Sequence, residues 1–349
     1  MTMQELDLTA PAVGVVPMET RRDVVVRLAR RAEELGYSGF FVAEGWGLDA
    51  TVVLAEIAVR TQRIRIGSNV LNVWGRSPAT IAMSATTLAD LSGGRYIQGL
   101  GAGSPALAEG LHSTTFKDPV GRLEAVTRQV RRLLDGHRLD PAPDATVPAL
   151  RLATTPKDRV PIALAALGPR ALEVAGRLAD AWTPFFLPRS ALPAAIQQLS
   201  ADGNATRDAR PLVWPGIPVA VSTEPDRAAA HAAWWISFYL TRMGPLYPQL
   251  LHRLGYGAAV DAVTAHAADR SPAIPASADH LIDELTLSGS PGDARAQLDR
   301  WYGAGADTPC LVLPPGADPD ELDHILTELA PTRRANSPEQ PTVVAQHAW

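Results

Sequence analysis

The stretch Ser92-Gly93-Gly94-Arg95-Tyr96-Ile97-Gln98-Gly99-Leu100-Gly101-Ala102-Gly103-Ser104 runs from a turn through a short apolar strand straight into alternating glycines. A dinucleotide-binding turn needs a further glycine after two intervening residues, so that a helix can pack behind the pyrophosphate. That place is held by Ser104, followed by Pro105. The spacing therefore argues against a plain dinucleotide domain. What is left is a strand whose C-terminal end carries no side chains, a surface against which a flat ligand can lie. A tight bend without a ligand has the same composition.

Outward from this strand the chain alternates short apolar runs with amphipathic helices, the pattern of parallel βα units. Strands are expected at 12–16, 39–43, 64–71 and 95–100, with helices at 22–35, 50–60, 78–91 and 119–134. A proline- and aspartate-rich linker spans 136–161. Strands at 162–166, 181–187, 213–222 and 309–313 then bring the count to eight. Eight strands with intervening helices fit an α/β fold of the closed (β/α)8 TIM-barrel type better than an open doubly wound sheet. The excess at 225–287, with Trp234, Trp235, Phe238, Tyr239, Tyr247 and Tyr256, reads as a helical insertion between strands seven and eight. Its aromatics are expected mainly as core or oligomer contacts. Residues 1–330 form one expected domain, and 331–349 a flexible tail.

Composition narrows the function classes. Of 349 residues 46% are hydrophobic and 20% charged, enough for a large core. The net charge of -5 and scattered arginines provide no basic face, so nucleic acid is not an expected partner. Cys310 is the only cysteine, which excludes a disulfide within the chain or a cysteine metal cluster. No HExxH, Walker A or Gly-x-Ser-x-Gly pattern occurs, and the eight histidines never pair at metal-ligand spacing. No metal and no membrane is expected, and the location is read as cytoplasmic.

In a barrel of this kind chemistry gathers at the C-terminal strand ends. Strand two ends in Ala43-Glu44-Gly45-Trp46-Gly47, where Glu44 reads as a proton donor, a cofactor contact or a glutamate satisfied by backbone. Strand three ends in Ser68-Asn69-Val70-Leu71, a polar interruption that suggests a bulge or a strained peptide. Trp46, Trp74 and Arg76 are candidates for the substrate pocket; packing under the loop and a surface ion pair are the alternatives for Trp74 and Arg76. Strand five leads into Leu167-Gly168-Pro169-Arg170, a glycine-capped helix start suited to a phosphate or carboxylate. Ser290 to Asp293 reads as a structural capping box.

Four segments in order resemble the bacterial luciferase-like flavin and deazaflavin oxidoreductases, particularly the branch that uses coenzyme F420. They are Gly36 to Glu44, Arg63 to Gly67, Leu91 to Arg95 through Gly101 to Gly103, and Pro161 to Pro169. The resemblance, over about residues 12–330, implies a usually homodimeric TIM barrel holding a planar tricyclic cofactor over the strand ends. The family's strained, often cis, non-proline peptide would fall at Asn69-Val70, behind the ring. Gly101, Ala102, Gly103 and Ser104 would carry the ring edge, and Ala166, Leu167, Gly168, Pro169 and Arg170 the phosphate side. Two positions depart from the pattern: Gly45 stands where many relatives carry histidine, and Ser104 where the sugar-phosphate dehydrogenases carry glutamate.

The expected activity is an F420H2-dependent reductase that passes hydride to an activated C=C or C=N bond of a small molecule. Glu44 and His112 are the candidate proton donors. An FMN-dependent monooxygenase, served by a separate flavin reductase, is the alternative; a barrel that has lost catalysis and acts as a scaffold is a third.

Overall fold

The alternation closes into a ring of parallel strands. The computed structural model describes residues 10–140, 144, 146–201, 210–268 and 274–331. Its strands are β1 (Ala12–Val15), β2 (Gly39–Val42), β3 (Arg65–Ser68), β4 (Leu71–Asn72), β5 (Tyr96–Gly101), β6 (Ile162–Ala165), β7 (Ala181–Trp182), β8 (Leu212–Val213), β9 (Gly216–Val221), β10 (Leu287–Gly289) and β11 (Cys310–Leu313). The helices are α1 (Arg22–Leu35), α2 (Ala50–Arg60), α3 (Pro78–Leu91), α4 (Pro119–Leu134), α5 (Pro169–Leu178) and α6 (Leu192–Ala201), then α7 (Pro225–Thr241), α8 (Leu246–Arg253), α9 (Gly257–Ala268), α10 (His280–Leu285), α11 (Pro291–Gly303) and α12 (Pro319–Glu328). The strands pair in the order β10-β9-β11-β1-β2-β3-β5-β6-β7-β8, with β4 on β5. A parallel bridge between Phe185 and Gly216, with the Gly216 N–H 2.8 Å from the Pro184 carbonyl, joins the chain beyond β7 to β9 and completes the (β/α)8 barrel.

Inward-facing residues alternate along every strand. Ala12, Phe41, Ile97, Ala163, Ala181, Trp214, Cys310 and Val312 belong to one apolar cluster that fills the barrel. The Phe41 ring takes up much of this space, because a Cβ at Gly39 or Gly67 would come within 2.8 or 2.9 Å of it. Outward-facing residues such as Val13, Phe40, Ile66 and Leu100 pack instead against the helical ring.

Helix boundaries follow local chemistry. Asp49 accepts from the Thr51 and Val52 N–H groups, and Ser77 caps α3 ahead of Pro78. The capping box read at Ser290 and Asp293 starts α11. Arg95 lies at the opposite, N-terminal end of the strands, where its buried guanidinium donates to the carbonyls of Ala58, Thr61, Ile64 and Ser92 and to the Thr61 hydroxyl. It fastens the end of α2 to the base of the barrel.

Several strands differ from their expected spans. The third breaks into β3 and β4, because the chain turns at Asn69-Val70 before it rejoins β5. The sixth keeps regular pairing only at Ala181–Trp182; Phe186 adopts a left-handed φ of 59°. Trp214-Pro215 separates β8 from β9, since proline cannot donate to the ladder. The insertion is helical as expected, but it ends in β10, which adds itself to β9 above the barrel. The tail expected at 331–349 lies, beyond residue 331, outside the described residues.

Candidate functional site at the C-terminal strand ends

The peptide bond between Asn69 and Val70 is cis, and both residues are half-buried at the mouth of the barrel. Backbone bonds bracket it: the Asn69 N–H reaches the Val42 carbonyl at 2.9 Å, and the Val70 carbonyl accepts the Glu44 N–H at 3.3 Å. The Asn69 side chain turns into the barrel, where its Oδ1 accepts the Thr183 hydroxyl at 3.0 Å. The Cys310 thiol is pushed up to about 12 by burial, partly offset by its hydrogen bond to Asn69. Below, the Ser68 hydroxyl accepts the Gly99 N–H at 2.9 Å and the Gln98 amide at 3.1 Å, and Gln98 in turn accepts the Tyr96 hydroxyl. A buried polar network thus ties strand three to strand four.

This network gives the glycines a steric reason. A Cβ at Gly99 would fall on the Ser68 carbonyl oxygen, and one at Gly101 would sit 2.5 Å from Val70 Cγ2. Gly103 has φ of 66°, a conformation that favours glycine, and a Cβ there would be 3.3 Å from that of Asn72. The strand is bare because the Ser68–Asn72 segment crosses it closely. Its shape supports the peptide at 69–70, which is the surface presented at the mouth.

Glu44 and Arg76 come together. The two guanidinium nitrogens of Arg76 bond both carboxylate oxygens of Glu44, NH2 at 2.8 Å, and NH2 also meets Asp49 at 2.7 Å. The side chains of Glu44 and Arg76 are only 7% and 14% exposed. The hydrogen bonds it donates to Glu44, against some loss from burial, raise the Arg76 guanidinium above its ordinary value. With the Ala50 N–H also on its Oε2, Glu44 acts here as an acceptor that locks the loop after β4 to the start of α2. Proton donation by Glu44 fits this geometry poorly. Trp74 is pinned as well: its indole N–H donates to the Ala102 carbonyl at 2.7 Å, and its ring meets Phe116. Trp46 is 53% exposed and stands on the rim. Gly45 has a steric reason, since a Cβ there would lie 2.6 Å from Pro17 Cβ; a histidine would need the loop after β1 to move.

His112 follows a π-helical turn, Ala106–Leu111, that starts on the Ser104 carbonyl and hydroxyl. Its ring lies over Gly75, where a Cβ would be 2.7 Å from Cε1, and its Nε2 is 3.3 Å from the Asn72 amide nitrogen. The Asn72 Oδ1 already accepts from the Trp74 and Gly75 N–H groups, so its amide nitrogen must face the histidine. Nε2 is therefore the acceptor of this pair, which assigns the Nδ1–H tautomer. Asn72 was missed in the sequence; nothing local distinguishes it.

At strand five, Gly168 caps α5 without a side chain, and a Cβ there would meet open space. Arg170 does not face that opening freely, because it pairs with Asp118, the cap of α4, at 2.7 Å. Ala166 is buried, and its carbonyl accepts the Trp182 indole N–H at 2.8 Å. Across the mouth, the insertion continues the barrel core. Phe185 stands 4.9 Å from the Tyr239 ring, and Phe186 stacks on Tyr239 at 5.2 Å. Tyr247 approaches Tyr239 at 5.3 Å. Of the insertion's aromatics Trp235 and Tyr239 are buried core, Phe238, Tyr247 and Tyr256 are part-buried against it, and Trp234 is exposed; Phe185 and Phe186 were not singled out in the sequence. Among the described residues no three His, Cys, Asp or Glu gather as a metal site, and no helix is long and apolar enough to cross a membrane.

A family model described as luciferase-like monooxygenase matches residues 2–308. A protein of Mycobacterium tuberculosis, named as a coenzyme F420-dependent oxidoreductase, is 31% identical over 84% of this chain and 90% of its own. The coenzyme F420-dependent tetrahydromethanopterin reductase of Methanopyrus kandleri superposes with a TM-score of 0.75, at 19% identity over 91% of this chain and 97% of that one. The oxygenating component of a diketocamphane monooxygenase of Pseudomonas putida, in complex with FMN, gives 0.68 at 17% identity over 92% and 97% of the two chains.

Proposed function

The chain belongs to the luciferase-like monooxygenase family, and within it we propose that this protein is an F420-dependent oxidoreductase acting as a reductase on a small molecule. The observation that carries the reading is the half-buried Asn69-Val70 step, held by strand two and backed by the glycine end of β5. It offers a flat, rigid support of the size of a ring, and the 31% identical relative favours F420 over FMN. The open space at the Gly168 helix start, with the free N–H groups of the first turn of α5, suits the phosphate side of such a cofactor.

The residues present fit that group. The backbone at 69–70 would press its face, Gly101 to Ser104 its edge, and Ala166 to Pro169 its phosphate. When bound, the deazaflavin supplies hydride chemistry. The chain's own part is orientation: Glu44 and Asp49 hold Arg76, Arg76 holds the loop that carries Trp74, and Asn72 leaves the His112 proton on Nδ1, the ring atom free to donate.

Titration of the purified chain with oxidised F420, read by fluorescence, tests this: saturable binding is expected, and tight FMN binding without F420 binding would sink it. The second reading, an FMN-dependent monooxygenase with a separate flavin reductase, draws on the fold shared with the FMN-bound oxygenase; oxygen uptake with reduced FMN separates the two. We further propose one cytoplasmic barrel domain that pairs as a homodimer. Exposed Val52 and Val59 on α2 and Met83 and Leu91 on α3 support such a face, which light scattering checks.

A further inference from the structure

The Asn69-Val70 step is held by its two side chains as well as by its backbone. Val70 lies over strand four, where a Cβ at Gly99 would come 3.2 Å from its Cγ1 and one at Gly101 2.5 Å from its Cγ2. Asn69 reaches across the barrel instead. Its Oδ1 accepts the hydroxyl of Thr183, just beyond β7, at 3.0 Å, and its side chain is also hydrogen-bonded to the thiol of Cys310 at the start of β11. The backbone bonds of the step, Asn69 N–H to Val42 and Glu44 N–H to Val70, tie it only to the chain at and beyond strand two. The Asn69 carboxamide extends the tie to strands six and eight.

Both partners are sealed and fixed. Thr183 is 3% exposed and Cys310 1%. The Thr183 N–H donates to the Leu164 carbonyl and the Cys310 N–H to the Pro215 carbonyl, each at 2.9 Å. Room for the sulfur comes from Gly14, where a Cβ would lie 3.0 Å from Sγ. The surrounding core is apolar, with Phe41, Ile97, Trp214 and Val312 in it, so a carboxamide there is tolerated only because its groups are paired. Packing does not require the cluster, since apolar groups of the same shape can replace a buried hydrogen-bonded pair at little cost. What the hydrogen bonds add is direction.

We propose that Thr183 and Cys310 are positioning residues for the cofactor: by holding the Asn69 carboxamide from two further strands, they fix the height and tilt of the 69–70 step. The inference rests on the reading of that step as the support of a flat ring. Buried as they are, both residues act through Asn69. A step released from them spends part of its time in positions that do not match the ring, and the apparent affinity falls by that fraction.

The test is a fluorescence titration of oxidised F420 into the full chain and into its variants. Thr183→Val keeps the shape and loses the hydroxyl, and should weaken binding roughly three- to tenfold. Thr183→Ser should return the affinity to within about twofold of the parent. Cys310→Ala should cost less, about two- to threefold, because a thiol is the weaker partner. In an Asn69→Ala background, Thr183→Val should change the affinity by less than about twofold, since the tie it removes is already gone. A purely structural defect behaves otherwise: Ile57→Val, a fully buried change on α2, should lower the melting temperature and leave the affinity at the parent value. Unchanged affinity in Thr183→Val, no recovery in Thr183→Ser, or an equal loss from Thr183→Val in both backgrounds overturns the proposal. If the parent binds FMN and not F420, the reductase reading falls, and the same pattern read with FMN upholds the tie. If the parent binds F420 and the variants match it, the tie falls and the reductase reading stands. Binding of neither removes both.

Discussion

The two sides of the barrel mouth are held by opposite means. On the side of strands two to four, glycines let backbone cross backbone, and hydrogen bonds donated by Gln98 and Arg76 or accepted by Ser68 and Asn72 tie each crossing. On the side of strands six and seven, rings pack on rings. The first side cannot adjust without breaking a directional contact, whereas the ring contacts of the second have no single direction to lose.

Substitutions should separate the two. The largest effect is expected for Gly99→Ala on the rigid side, because the new Cβ falls on the Ser68 carbonyl oxygen and backbone has nowhere to go. A loss above about 3 kcal/mol, or failure to fold, should appear in urea denaturation; a loss under about 1 kcal/mol would show that this side also yields. Arg76→Ala comes next. It leaves Glu44 buried with only the Ala50 N–H, at a cost on the order of 3 kcal/mol by chemical denaturation, and Arg76→Lys should restore only part of it, since a point charge cannot make the forked contact.

Phe185→Ala tests the other side. A loss of about 2 kcal/mol is expected, below that of a fully enclosed ring, because Phe185 is half-buried and its aromatic neighbours can close in. The smallest effect should come from acid. Burial alone would raise Glu19, but its bonds from Arg21 and the Gly316 N–H more than reverse this and hold it below 4.5. A depressed folded value means that the stabilisation is complete above the unfolded value and is lost as pH falls through the folded one. Melting temperatures from about pH 6 down to about pH 3 should therefore fall less steeply in Glu19→Gln than in the parent. The difference is on the order of 1 kcal/mol after solvent screening.

The difference between the sides also explains what was legible. Alternating glycines after an apolar strand are a local pattern, so the close crossing of backbone at Gly99, Gly101 and Gly103 left a mark in the sequence. The purpose of the glycines was not legible, because Ser68 stands 31 residues away. The same holds for Glu44 and Arg76, each marked as a strand-end residue: only the fold shows that they are partners, 32 residues apart. Tyr239 and Tyr247 were expected as core or oligomer contacts, and only the fold shows that both pack on Phe185.

By itself the sequence determined the eight βα units, the insertion after the seventh strand and the end of the barrel at which residues gather, because period, turn residues and caps act over a few positions. The tertiary structure alone decided which groups are committed and which are free. Close approach, ion pairing and burial are relations between residues distant in the chain, and they come into being only when the ring of strands closes.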